Sequence, residues 1–277
     1  MIGAIIGDIV GSRFEFIMDD NRGKNFAFFT SACCATDDSF MTLAVAKALF
    51  LCKGDYSELA RKTVLCMREI AHAHPNTGWG ASFYRWLFES DSFAPIQSYG
   101  NGAGMRISPV AWVATSEEEL KALAATVTGV THDHPEGMKG GEAIALAVYL
   151  ARTGVDKSEI RARMQEYYPI LSDPAFTIAS LQENYGYDEQ GDWVTCQGSV
   201  PQAIVAFLES ESFEDAIRNA VCIGGDSDTI GAMAGSIAEA YYGVSREMEE
   251  KALEYLTEDL KSLYFAFETI RRPRSKK

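Results

Sequence analysis

Gly3, Gly7 and Gly11 recur every fourth residue in a segment where Ile2, Ile5, Ile6, Ile9 and Val10 keep the i, i+3, i+4, i+7 spacing of one helix face. A helix of this kind buries its aliphatic side and lets a neighbour's backbone approach along the glycines. On the same helical wheel Asp8, Ser12 and Glu15 share a third face, so the helix is expected to present a carboxylate stripe to something polar. Far along the chain, Gly231, Ala232, Ala234 and Gly235 form another small-residue row that permits a close helix contact.

Helical periodicity prevails elsewhere too, and strand patterns are scarce, so the fold class is all-α. Helices are expected over 40–51, 57–72, 80–89, 137–151, 157–167, 230–242 and 258–270. Capping chemistry marks further starts. Ser116 with Glu119 forms a capping box, Ser212 precedes Glu214 and Asp215, Ser199 precedes Pro201, and Ser245 can cap a helix over 246–256. Breaks fall at Asn21-Arg22-Gly23, at His74 to Gly78, at Tyr99 to Gly102 and over 184–198. None has the character of a linker, so residues 1–277 are expected to form one compact domain, with 270–277 a basic, solvated or frayed tail. His72-Ala73-His74 is expected at a helix end, its imidazoles beside terminal carbonyls.

Composition excludes several function classes. A net charge of −14 disfavours nucleic acid or an anionic membrane as partner, although bound cations would still allow a small phosphorylated ligand. The apolar start, Met1 to Gly7, is cut short by Asp8 and preceded by no basic residue, so it does not resemble a secretory signal; no stretch is long and apolar enough to span a bilayer. Six cysteines without a Cys-x-x-Cys pair are read as reduced, buried, small hydrophobes, which points to a cytoplasmic protein, expected to be monomeric.

Two acid-and-hydroxyl clusters carry the strongest chemical signal: Thr36-Asp37-Asp38-Ser39 and Asp226-Ser227-Asp228-Thr229, each running into an apolar helix pattern. Helix capping explains one residue in each cluster. It does not explain paired carboxylates entering apolar segments, where each uncompensated charge costs several kcal/mol and calls for a cation or a proton. Carboxylates and hydroxyls together are the ligands that hard cations such as Mg²⁺ or Mn²⁺ prefer. Glu15, between Phe14 and Phe16, is a candidate half-buried acid with a raised pKa. The loop Tyr99 to Arg106 is glycine-rich enough to aim backbone N–H groups at a phosphate, yet it is neither a Walker loop nor a dinucleotide fingerprint. Thr131-His132-Asp133-His134 lacks complementary ligands for zinc, which leaves His132 as a hydrogen-bonding candidate.

Taken together, Gly3 to Asp8 with Glu15-Phe16, Thr36-Asp37-Asp38, Gly100-Asn101-Gly102-Ala103 with Met105-Arg106, Thr131-His132 to Pro135, and Asp226 to Thr229 with Gly231-Ala232 resemble the ADP-ribosylglycohydrolase family. The resemblance implies a multi-helix orthogonal bundle with a binuclear centre of two divalent cations, Mg²⁺ or Mn²⁺. Carried over by position, it implies Thr36, Asp37, Asp38, Asp226, Asp228 and Thr229 as metal ligands. Glu15, Asp37 and Asp38 would be the catalytic carboxylates; Gly100, Asn101, Gly102, Ala103 and His132 would bind ADP-ribose. Ser39 departs from the family's common threonine but keeps the hydroxyl. The implied activity is hydrolysis of the bond between C1 of the distal ribose of ADP-ribose and an acceptor, arginine first, on a modified protein or small molecule. The rivals are a non-catalytic ADP-ribose binder and a metal-dependent phosphohydrolase. The segments 19–29 and 186–198 are candidates for shaping access to the acceptor.

Overall fold

The fold is built around two glycine-lined helices that lie against each other. In the computed structural model, which describes residues 1–17, 23–184 and 192–274, the helices are α1 (Ile2–Gly11), α2 (Asp37–Cys52), α3 (Leu59–Ala73), α4 (Ala81–Phe88), α5 (Gly102–Met105), α6 (Ser108–Val113), α7 (Glu117–Gly129) and α8 (Pro135–Arg152). They continue with α9 (Lys157–Gln165), α10 (Ile178–Asn184), α11 (Cys196–Leu208), α12 (Phe213–Ile223), α13 (Ser227–Tyr242), α14 (Arg246–Leu253) and α15 (Glu258–Glu268). Among the described residues no strand forms, and the one isolated bridge joins Gly100 to Thr195. No helix among them is long and apolar enough to cross a membrane.

All ten residues of α1 are buried, and its principal partner is α13. The two backbones interlock through both glycine rows: a Cβ on Gly3 would stand 2.2 Å from Gly235 O, and one on Gly7 would stand 2.0 Å from Gly231 O. Hydrogen is the largest side chain that fits. Around this pair, α13 also packs on α12, α11 and α8, while α2 packs on α3 and α15. Buried apolar residues from Met1 to Phe267 form one contiguous core.

Most expected helix starts are where the caps place them. Glu119 N–H donates to Ser116 Oγ, Asp215 N–H to Ser212 Oγ and Met248 N–H to Ser245 Oγ. Ser199 is different, because α11 already begins at Cys196 under Thr195, whose Oγ1 accepts from Gly198 N–H at 3.0 Å. Ser199 is therefore inside the helix, its hydroxyl donating back to Thr195 O, and Pro201 is helical rather than initiating.

Four further expectations are corrected. Glu15 does not continue a helical stripe with Asp8: α1 ends at Gly11, the Ser12 hydroxyl donates to Ile9 O, and a 3₁₀ turn over Ser12–Phe14 swings the chain away. The tail is not frayed up to residue 274. Arg271 pairs with buried Glu239 at 3.2 Å and stacks 4.0 Å over the Trp112 ring, while Arg272 and Arg274 donate to Val113 O and Tyr241 O at the ends of α6 and α13. Arginines suit these positions, since helix C-termini offer unpaired carbonyls and negative potential. His74 is at the end of α3 as expected, but its imidazole pairs with Asp259 and meets Phe40 edge-on instead of capping carbonyls. Of the six cysteines, Cys34 is exposed; the other five are buried.

Candidate active site

The N-termini of α2 and α13 converge. Thr36 Oγ1 lies 3.4 Å from Asp228 Oδ2, and Thr229 Oγ1 donates to Asp38 Oδ2 at 3.2 Å, across 191 residues of sequence. Neither Thr36 nor Asp226, the residues that precede the two helices, makes a side-chain capping hydrogen bond. The Thr36 hydroxyl is turned to Asp8 and Asp228, and Asp226 Oδ2 to Asn101 Nδ2. Carboxylate oxygens of Glu15, Asp226 and Asp228 all lie within 4.8 Å of one another, although Glu15 comes from the turn after α1. Phe16 fixes that turn: its N–H donates to Gly225 O at 2.8 Å, and its backbone takes the left-handed φ of 52°. Glu15 is thereby held against the turn that carries Asp226.

Beneath the cluster lies Asp8, fully buried, and it organises the first turn of α2. Its Oδ1 accepts from Thr36 Oγ1 at 2.6 Å, and its Oδ2 accepts from Thr36 N at 3.0 Å, from Ser39 N at 3.1 Å and from Ser39 Oγ. The hydroxyl retained at Ser39 is thus committed to Asp8. Asn101 acts in a comparable way on the second acid cluster. Its Nδ2 donates to Asp226 Oδ2 at 2.7 Å and to Trp193 O at 3.3 Å, tying the glycine loop to those acids.

The crowding has an electrostatic signature. Burial, followed by the charges of Asp226 and Asp8, pushes the Glu15 carboxyl up to about 7. Burial pushes Asp8 up to about 6 against the hydrogen bonds that favour its charged form. Asp37, Asp38 and Asp228 are raised well above the usual carboxylate range, first by burial and then by the neighbouring aspartates. No salt bridge among the described residues reaches any of these carboxylates, and the buried Asp38 Oδ1 has no hydrogen-bond partner. An all-oxygen donor set, an uncompensated cluster of acids and an orphaned carboxylate oxygen are together what a hard divalent cation fits.

The cleft has a volume of about 430 Å³, and Glu15, Asp37, Asp38, Asp226, Asp228 and Thr229 line its acidic end. Gly100, Asn101, Gly102 and His132 also line it, with Asn101 bonded to Asp226; Phe16, Phe83, Ile96 and Val194 give it apolar faces. Thr36 stands just behind the acids, and Ala103 is buried in α5 below the loop. Sequence reasoning singled out the acids, the loop and the histidine; it named Asp8 only within a polar stripe and Arg106 only within the loop motif, and it missed the wall formed by Gly78 and Gly80 to Phe83. Asp8 carried a signal, since a carboxylate in a glycine-rich apolar helix is costly unless donors surround it. The wall carried none. Of the segments proposed to shape access, 19–22 and 186–191 lie outside the described residues, while Val194 does line the cleft.

Comparison with known proteins places the chain and its fold. The family model for ADP-ribosylglycohydrolase matches residues 1–272. ADP-ribosylhydrolase ARH3 of Bos taurus is 26% identical, over 90% of this chain and 85% of its own. ADP-ribosylarginine hydrolase Tri1 of Pseudomonas putida is 28% identical, over 88% of this chain and 70% of its own. A solved structure described as an ADP-ribosylglycohydrolase-related protein complex superposes with a TM-score of 0.67 at 23% identity, covering 97% of this chain and 96% of that one, which shows the all-α fold. With a family model spanning nearly the whole chain and a matching fold, this protein belongs to the ADP-ribosylglycohydrolase family.

Proposed function

We propose that this glycohydrolase cleaves the bond between C1 of the distal ribose of ADP-ribose and an acceptor, and that it does so with two divalent cations, Mg²⁺ or Mn²⁺. The observation that carries the reading is the meeting of two remote acid clusters in a cleft that Gly100, Asn101 and Gly102 also line. Thr36, Asp37, Asp38, Asp226, Asp228 and Thr229 would hold the cations, which when bound supply Lewis acidity and a more acidic water.

The chain's own residues do the rest. The loop with His132 and the apolar faces orients ADP-ribose along the cleft, with the distal ribose towards the acids. Glu15 faces Asp226 and Asp228, with carboxylate oxygens of all three within 4.8 Å of one another, and is a candidate to transfer a proton to or from a water held there. Asp37 and Asp38 are the other proton-transfer candidates. The Glu15 carboxylate, which is not among the cation ligands, stabilises positive charge developing on the ribose, as carboxylates do in glycosidases.

An arginine-linked acceptor is the first choice. The relative Tri1 is named for that linkage. The test is release of ADP-ribose from arginine-linked, serine-linked and O-acetyl substrates, with added Mg²⁺ or Mn²⁺ and with chelator. Intact ADP-ribose should appear only with metal. Full release in chelator would refute the metal dependence, AMP as product would indicate diphosphate cleavage, and tight ADP-ribose binding without turnover would indicate a reader.

A further inference from the structure

Arg106, immediately after α5, is buried at 1% exposure in the wall of the cleft and makes no hydrogen bond to a carboxylate. Its Nη2 instead reaches Thr131 Oγ1 at 2.5 Å and His132 Nδ1 at 3.2 Å, while Thr131 Oγ1 stands 2.7 Å from the same Nδ1. Guanidinium can only donate. The Thr131 hydroxyl, already accepting from Arg106, directs its own hydrogen to Nδ1. Two donors on one nitrogen leave it the role of acceptor, which puts the imidazole proton on Nε2.

The opposite edge of the ring faces the glycine loop. A Cβ on Gly102 would lie 3.3 Å from His132 Nε2, and one on Gly100 would lie 3.7 Å from it. Nε2 has no hydrogen-bond partner among the described residues, and it opens on the cleft. Gly137 closes on the base of the side chain: a Cβ there would stand 3.0 Å from the His132 Cβ. The imidazole is therefore fixed in place as well as in tautomer.

We propose that Arg106 is a positioning residue which, with Thr131, locks His132 as a neutral imidazole whose Nε2–H donates to an oxygen of the bound ligand. His132 is then a permanent donor and takes no part in proton transfer. Burial, and after it the charge of Arg106, hold the ring well below the ordinary histidine range, in accord with the geometry. The identity of the acceptor oxygen rests on the reading of the cleft as an ADP-ribose site; the tautomer does not.

Long-range ¹H–¹⁵N correlation spectra of the full chain, with ¹⁵N-labelled histidine, should show His132 Nε2 protonated and Nδ1 unprotonated. A protonated Nδ1 or shifts averaged over both tautomers would overturn the proposal. In Arg106→Met, and in Thr131→Val should the first variant fail to fold, the tautomers should mix and calorimetric affinity for ADP-ribose with Mg²⁺ should fall about tenfold. Combining Arg106→Met with His132→Ala, or Thr131→Val with His132→Ala, should cost no more affinity than His132→Ala alone. Multiplying losses would show that Arg106 or Thr131 meets the ligand directly, and would refute a role exerted through His132. If ADP-ribose fails to bind the unmodified chain, the functional reading falls, and the spectrum alone decides the tautomer.

Discussion

Gly7→Ala tests whether the contact between α1 and α13 sets the geometry of the acids. The new methyl would stand 2.0 Å from Gly231 O and 2.2 Å from Gly231 C, and both are backbone atoms that no side-chain rotation can move. A carbon-to-oxygen contact is comfortable only from about 3.3 Å, so the helices must part by roughly 1.3 Å at this crossing. Overpacking of this kind costs about 1–3 kcal/mol, which in a chain of this size lowers Tm by about 2–4 °C for each kcal/mol. Asp228 precedes Gly231 by less than one helical turn and moves with it. A displacement of about 1 Å at a reacting centre costs on the order of a hundredfold in rate. Thermal unfolding and kcat for ADP-ribose release should be measured beside Gly3→Ala, whose methyl meets Gly235 O at 2.2 Å, farther along α13 from the acids. Both variants should lose similar stability, and Gly7→Ala should lose far more activity. Unchanged Tm and kcat in Gly7→Ala, or equal losses of activity in the two, would refute the reasoning.

Asp8→Leu removes the acceptor of the Thr36 and Ser39 N–H groups, so it should lower the unfolding free energy by about 2–4 kcal/mol; an unchanged urea midpoint would contradict this. Without cations, Asp8 at about 6 and Glu15 at about 7 keep protons in the folded chain that the unfolded chain releases at their ordinary values of 3.8 and 4.5. Stability of the chelated protein should therefore fall as pH rises through this window, and the stabilisation gained from saturating Mn²⁺ should grow with pH; a gain independent of pH would count against the site. Glu15→Gln should lower kcat while leaving ADP-ribose affinity within about threefold, because the amide keeps the shape and removes the titrating proton. Loss of affinity alone would remove Glu15 from proton transfer.

Local patterns were legible in the sequence where the physics is local. The apolar period over 2–10 and the serines at 116, 212 and 245 describe helices and caps that depend on neighbours within one turn. The acid clusters were legible because capping could account for only part of them. Both glycine rows were also visible, but a row of small residues does not name its partner, so the interlock of Gly3 and Gly7 with Gly235 and Gly231 became evident only in three dimensions. Glu15 was misplaced for a similar reason. The end of α1 depends on a serine hydroxyl bonding back to Ile9 and on the grip of Gly225 on Phe16, a residue from the far end of the chain. The last arginines looked solvated because their acceptors, at the ends of α6 and α13 and on Glu239, are distant in sequence.

The partnership of α1 with α13 has a consequence for biosynthesis. In the folded protein α1 is buried on every side, yet the surface it belongs against is made about 220 residues later. At common elongation rates the segment waits on the order of 10–45 s before its partner leaves the ribosome. During that interval the nascent chain displays an aliphatic helix with nothing to cover it, so yield in cells is expected to depend on chaperone capacity and translation speed more steeply than the stability of the finished protein would suggest.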